Sequence, residues 1–81
     1  MKITNMEEKL LEIFREVFNE VDSSEITLDS EFREWDQFSS LTQVVLLDAI
    51  TNKIGVTIKF RPFLKAETIG DVLEIIEDNQ E

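Results

Sequence analysis

Residues 39–50 read Ser39-Ser40-Leu41-Thr42-Gln43-Val44-Val45-Leu46-Leu47-Asp48-Ala49-Ile50, and this stretch decides the fold. Two small hydroxyl residues stand before a run whose apolar positions recur every three or four residues. Leu41, Val44, Leu47 and Ile54 fall on one stripe, with Ile50 beside it. That spacing predicts a helix beginning near Ser39 or Ser40. Leu46 widens the apolar face, so the helix is expected to be the most central of the fold. Gly55 is placed to end it in the left-handed conformation that a terminating glycine adopts.

Helical pattern also flanks this stretch. Leu10, Leu11, Phe14, Val17, Phe18 and Val21 form a second stripe, with Glu12, Arg15, Glu16 and Glu20 between them. Helix one is expected over residues 5–21, opened by Thr4 with Glu7 or Asn5 with Glu8 as a capping pair. Asp22 to Ser30 is rich in residues that bond their own backbone, and this predicts a long loop. Ile26, Leu28 and Phe32 are its expected anchors. Val56-Thr57-Ile58-Lys59-Phe60 alternates like a strand. A lone short strand has no partner, so the segment is read as an extended loop. Pro62 is expected to open a short helical turn through Lys65. The last helix is expected from Thr68, capped with Asp71, with Ile69, Val72, Leu73, Ile75 and Ile76 facing inward; residues 78–81 should fray. The expected fold is all-α: a small bundle of three to four helices in one domain, residues 1–81, with a long loop between helices one and two.

Composition narrows the function. The chain has 81 residues, 18 acids against 8 bases, a net charge of −10, and neither cysteine nor histidine. The missing residues exclude a disulfide framework, a thiolate or imidazole metal site, a cysteine nucleophile and a Ser-His-Asp triad. Phosphate backbones repel so acidic a chain, so no nucleic-acid partner is expected. The longest apolar run, Val44–Leu47, is too short to span a bilayer, and no signal peptide is visible, so a cytoplasmic location is expected. The loop carboxylates Asp22, Glu25, Asp29, Glu31, Glu34 and Asp36 lack the ligand spacing and central glycine of a calcium loop, and no metal site is expected.

The charge is uneven. Residues 1–39 carry 11 acids and 4 bases, residues 67–81 carry 6 acids and no base. Between them, residues 40–66 hold only Asp48 against Lys53, Lys59, Arg61 and Lys65, a net +3.

Ser40 admits two readings. With Gln43 it forms a capping box and is simply the N-cap of helix two. Alternatively Ser39 is the cap, and the Ser40 hydroxyl points outward at the positive end of the helix, where a phosphodiester is favoured.

The sequence resembles the acyl carrier proteins and related phosphopantetheine-binding carrier domains. Phe32 stands eight residues before Ser40, as the family's phenylalanine stands before its modified serine. Leu41, Val44, Leu46, Leu47, Ile50, Ile54, Gly55, Val56 and Ile58 occupy the family's following positions, and Thr68-Ile69 with Asp71-Val72-Leu73 opens the last helix as it does there. Two positions depart from the family. The signature Asp-Ser-Leu is here Ser39-Ser40-Leu41, with Asp36 the nearby carboxylate. Val45, Thr51 and Asn52 stand where helix two is usually acidic.

The resemblance implies 4'-phosphopantetheine on Ser40, attached by a phosphopantetheinyl transferase and carrying acyl or aminoacyl groups as thioesters between loading and transferring enzymes. It implies Ser39 as helix cap; Leu41, Val44, Val45 and Asp48 as partner contacts; and Leu46, Leu47, Ile50, Ile69 and Val72 as lining of an acyl pocket. For Leu46, Leu47 and Ile50, ordinary core packing is the favoured reading, and Val45 is expected to be exposed. Trp35 and Phe38 are expected to anchor the loop. Met1 directly before helix one points to a freestanding carrier; a monomer with no catalytic chemistry of its own is expected. The alternative is an interaction module on the same fold whose serine is never modified.

Overall fold

The structure, a computed structural model, describes residues 5–78. Four α-helices carry it: α1 (Asn5–Val17), α2 (Ser40–Ile54), α3 (Phe60–Lys65) and α4 (Ile69–Asp78), with no strand among the described residues. α1 packs against both α2 and α4, and α3 packs against α4. The fold is the expected small helical bundle with its long connection between α1 and α2. The capping side chains expected at Thr4 or Asn5, and the fraying expected at residues 79–81, lie outside the described residues. Asp78 itself is the last residue of α4.

α1 is shorter than the stripe through Val21 suggested. Phe18 still bonds back to Phe14, its N–H donating at 2.8 Å, but the helix ends at Val17. In a longer helix the Glu20 N–H would donate to the Glu16 carbonyl; here it donates to Gln37 Oε1 at 2.9 Å. The loop thus intercepts the helix end. Ile13, absent from the expected stripe, is buried. Contact with both α2 and α4 widens the apolar face of α1 enough to enclose it.

α2 is rotated relative to the expected stripe. Leu46 and Ile50, one turn apart, are fully buried, and Leu47 is half-buried. Leu41 and Val44, read as core-facing in the stripe, are exposed. At about 100° per residue, Val44 sits roughly 200° round the helix from Leu46. Lys53, on the Leu46 side, ties α2 to α1 by an ion pair with Glu16 at 2.9 Å. The helix ends on Gly55, whose φ of 88° is left-handed.

Residues 56–59 keep a period of two without a partner strand among the described residues: Val56 and Ile58 face inward, Thr57 and Lys59 outward. α3 begins at Phe60, two residues before Pro62. Pro62 is tolerated because it lies in the first turn, where N–H groups have no partner within the helix.

The long loop is stitched to the bundle. Ile26 and Phe32 are buried and Leu28 is half-buried. The carbonyls of Ser30 and Leu28 accept from the N–H groups of Ile69 (3.2 Å) and Gly70 (2.8 Å), capping the start of α4 from outside. A Cβ on Gly70 would come within 3.1 Å of the Leu28 carbonyl, so glycine permits this approach. α4 is also capped from within: the Asp71 carboxylate accepts from the N–H of Glu67 (2.9 Å) and Thr68 (3.1 Å), while Thr68 Oγ1 accepts from the Asp71 N–H. Those backbone donors, Glu67 first, hold the Asp71 carboxyl below its ordinary acidity range.

Candidate functional site

The N-terminus of α2 is where the two serines stand, and their duties are divided. Ser39 is extended, at φ −154° and ψ 175°, and is the N-cap. Its Oγ accepts from the Thr42 N–H at 3.2 Å, and its own N–H donates to Thr42 Oγ1 at 2.7 Å. This reciprocal pair is a capping box. Thr42 Oγ1 in turn donates to the Gln37 carbonyl at 3.0 Å, tying the helix start to the loop before it. The box therefore runs from Ser39 to Thr42, and Gln43 enters only through its backbone N–H, which donates to the Ser39 carbonyl.

Ser40 is the first helical residue and is exposed; among the described residues its hydroxyl makes no hydrogen bond. It lies beside the first-turn N–H groups that α2 leaves without partners, and that turn contains no acid. The positive end of the helix dipole is thus not neutralised locally. The hydroxyl stands where an attached phosphodiester meets partial positive charge and no nearby helical carboxylate, so the residues present fit a phosphopantetheine arm.

Beyond Ser40, the outer face of α2 is apolar. Leu41, Val44 and Val45 are 72%, 60% and 46% exposed. Asp48 is exposed on the same side, accepting from Asn52 Nδ2 at 3.2 Å. On the inner side Leu46, Ile50, Ile69 and Val72 are fully buried and Leu47 partly so. All five belong to the packed core. The surface has one cleft of about 280 Å³ lined by Glu31, Arg33, Glu34 and Glu67, and another of about 400 Å³ lined by residues that include Glu20, Trp35 and Asp36. Neither reaches these five residues. Among the described residues no group of three or more acidic side chains is placed to hold a metal ion.

The loop that delivers Ser39 is fixed by aromatic packing. Trp35 meets Phe18 edge-on at 5.0 Å between centroids, and Phe38 lies 6.4 Å from Phe18 and 5.8 Å from Phe32. Both therefore anchor the loop to the core. The residue that holds the arrangement together escaped the sequence reading. Arg33 donates from Nε to the Ala66 carbonyl at 2.6 Å and from a terminal nitrogen to the Phe63 carbonyl at 2.5 Å. Its guanidinium lies 5.2, 5.3 and 5.1 Å from the ring centres of Phe32, Phe38 and Phe63. One cation thus joins the loop to α3. Its signal in the sequence was isolation: it is the sole base between Arg15 and Lys53, in an acidic stretch.

Comparison with known proteins shows the family. The family described as "Phosphopantetheine attachment site" matches residues 8–76. An acyl carrier protein of Helicobacter acinonychis is 37% identical over 60 residues, covering 74% of this chain and 77% of that protein. Acyl carrier proteins of Rickettsia canadensis and Rickettsia felis are each 36% identical over 75 residues, covering 93% of this chain and 86% of theirs. No solved structure matches the chain. A family match over residues 8–76, together with relatives at 36–37% identity, places this chain in the acyl carrier protein family: it is a carrier protein whose prosthetic group is 4'-phosphopantetheine.

Proposed function

We propose that the arm is attached to Ser40 Oγ and that the protein tethers acyl or aminoacyl intermediates as thioesters and presents them to partner enzymes. One observation carries this reading. Ser39 and Thr42 perform the capping that α2 needs, which leaves the Ser40 hydroxyl exposed and unbonded among the described residues. When a transferase loads the site from coenzyme A, the Ser40 hydroxyl loses its proton, its oxygen forms the new bond to phosphorus, and the nucleotide half departs. The arm supplies the thiol that this cysteine-free chain lacks. The chain's own residues do no bond-making after that; they position the attachment point and raise the effective concentration of cargo at each partner.

The remaining roles follow from exposure. Leu41, Val44, Val45 and Asp48 surround the attachment point on the outer face of α2 and are the contacts for the transferase and for loading and transferring enzymes. Leu46, Ile50, Ile69 and Val72 belong to the buried core, with Leu47 packed against it, and a long acyl chain would enter by parting them. The protein works as a monomeric single domain in the cytoplasm; among the described residues no helix is long and apolar enough to cross a membrane. The rival reading, an unmodified interaction module, would be strengthened by a buried Ser40 Oγ serving as the cap; the exposed hydroxyl favours the carrier.

A fluorescent coenzyme A analogue with a broad-specificity phosphopantetheinyl transferase tests the assignment. The label is expected on the peptide containing residues 39–41, and fragment masses should place it on Ser40. Label on Ser39, or none with several transferases, would overturn it.

A further inference from the structure

α3 differs from the rest of the molecule in two respects. Phe60 and Leu64, four residues apart and so on one side of the helix, are 52% and 49% exposed. Phe63 lies on the other side and is fully buried, so the inward face is already used. Lys59, Arg61 and Lys65 stand beside the exposed pair. All three are exposed, none makes an ion pair among the described residues, and α3 contains no acid. Arg61 and Lys65 are also four apart, forming a cationic row next to the apolar one. Of the four bases in residues 40–66, Lys53 alone makes an ion pair among the described residues, with Glu16 of α1. The basic character of the middle of the chain is therefore concentrated here.

We infer that the exposed side of α3 docks an acidic protein surface, with an apolar contact for Phe60 and Leu64 bordered by carboxylates for Lys59, Arg61 and Lys65. Charge selects the occupant. A second copy of this chain would bring two molecules of net −10 together, and long-range repulsion opposes that. An anionic bilayer is a continuous negative plane. It would meet not only α3 but also α4, which packs against α3 and carries Asp71, Glu74, Glu77 and Asp78 with no base. A protein with a local acidic ring meets the three cations without that repulsion, and its field steers the encounter. The apolar pair supplies burial at the centre, and the cations supply register at the rim. The surface goes beyond the carrier reading and does not depend on it, because α3 is complete whether or not Ser40 is modified.

The test uses the isotope-labelled full chain and a synthetic amphipathic helical peptide with leucine on one face and glutamate on the other. Amide shifts are expected at residues 59–65, with affinity falling at least about tenfold from low to high salt. The triple variant Lys59→Glu, Arg61→Glu, Lys65→Glu should lose these shifts while keeping the wild-type amide pattern elsewhere, and Phe60→Ser with Leu64→Ser should weaken them. The assignment is overturned by any of three results. These are undiminished binding by the triple variant, shifts spread evenly over the chain, and perturbation of α3 by phosphatidylglycerol vesicles but not by the acidic peptide.

Discussion

Replacing Arg33 by methionine should loosen the loop that delivers the α2 N-terminus, and the size of the effect can be worked from its contacts. Methionine keeps the unbranched stem, so most of the packing against Phe32, Phe38 and Phe63 survives. The substitution removes two charge-assisted hydrogen bonds, to the carbonyls of Ala66 and Phe63. It also removes a cation shared among three rings at 5.1–5.3 Å. Hydrogen bonds to a charged group contribute about 1.5–3 kcal/mol each, and an exposed cation–π contact about 0.5–1 kcal/mol. The terms share one side chain and do not add. Arg33 is also half-buried, so water can reach the freed carbonyls and part of the guanidinium's desolvation is recovered. The net loss is about 2–4 kcal/mol, or roughly 8–32 °C in Tm for a domain of this size. Thermal unfolding followed by circular dichroism reads the loss. Emission from Trp35, the only tryptophan, reads the loop itself and should shift to the red before global unfolding. Arg33→Lys should fall between, since lysine keeps the charge but lacks the planar fork. A fall of less than about 4 °C for the methionine variant, with unchanged emission, would refute the assignment of Arg33 as the tie between loop and α3.

Three smaller perturbations follow from the caps. The folded-state pKa of Asp71 lies below its ordinary value of 3.8, so its contribution is fully present above that value and disappears as pH falls through the lower folded one. Asp71→Asn should therefore flatten the acid limb of a stability–pH curve and cost about 1 kcal/mol at neutral pH in chemical denaturation. Ser39→Ala breaks the capping box and should lower stability by about 1 kcal/mol, read from the denaturant midpoint, while Ser40→Ala should leave it nearly unchanged. At Gly55 a Cβ meets nothing within 4 Å, so Gly55→Ala carries only the backbone penalty of a φ near 88°, about 1 kcal/mol by the same measurement.

Helix existence was legible wherever local pattern and tertiary burial agreed. The three- and four-residue spacing located α1, α2 and α4, and Gly55 and Thr68 with Asp71 marked boundaries that the backbone obeys. The stripe on α2 misled because the outer face of that helix is apolar too. Leu41 and Val44 continue the periodicity of a buried stripe, yet they point away from Leu46 and Ile50. A helix that is apolar on two sides has no moment to say which side is inside. The end of α1 was invisible for a different reason: it is set by Gln37, seventeen residues away, which takes the Glu20 N–H. Arg33 was missed on the same grounds, because its partners, Phe63 and Ala66, lie some thirty residues further along. At the site, the sequence left Ser39 and Ser40 as rival caps. The choice turned on the Thr42 hydroxyl, which closes the box with Ser39. The net +3 of residues 40–66 was legible in the sequence, but its concentration at α3 was not: among the described residues Lys53 pairs with Glu16 of α1, while Lys59, Arg61 and Lys65 make no ion pair.

Attachment of the arm at Ser40 is covalent, so intact mass reads it out without a label. Wild type, Ser39→Ala and Ser40→Ala would each be incubated with coenzyme A and a phosphopantetheinyl transferase of broad specificity. Wild type and Ser39→Ala should each gain the mass of one phosphopantetheinyl group, and Ser40→Ala should gain nothing. A mass gain by Ser40→Ala, or an unmodified wild type across a panel of transferases, would contradict that attachment.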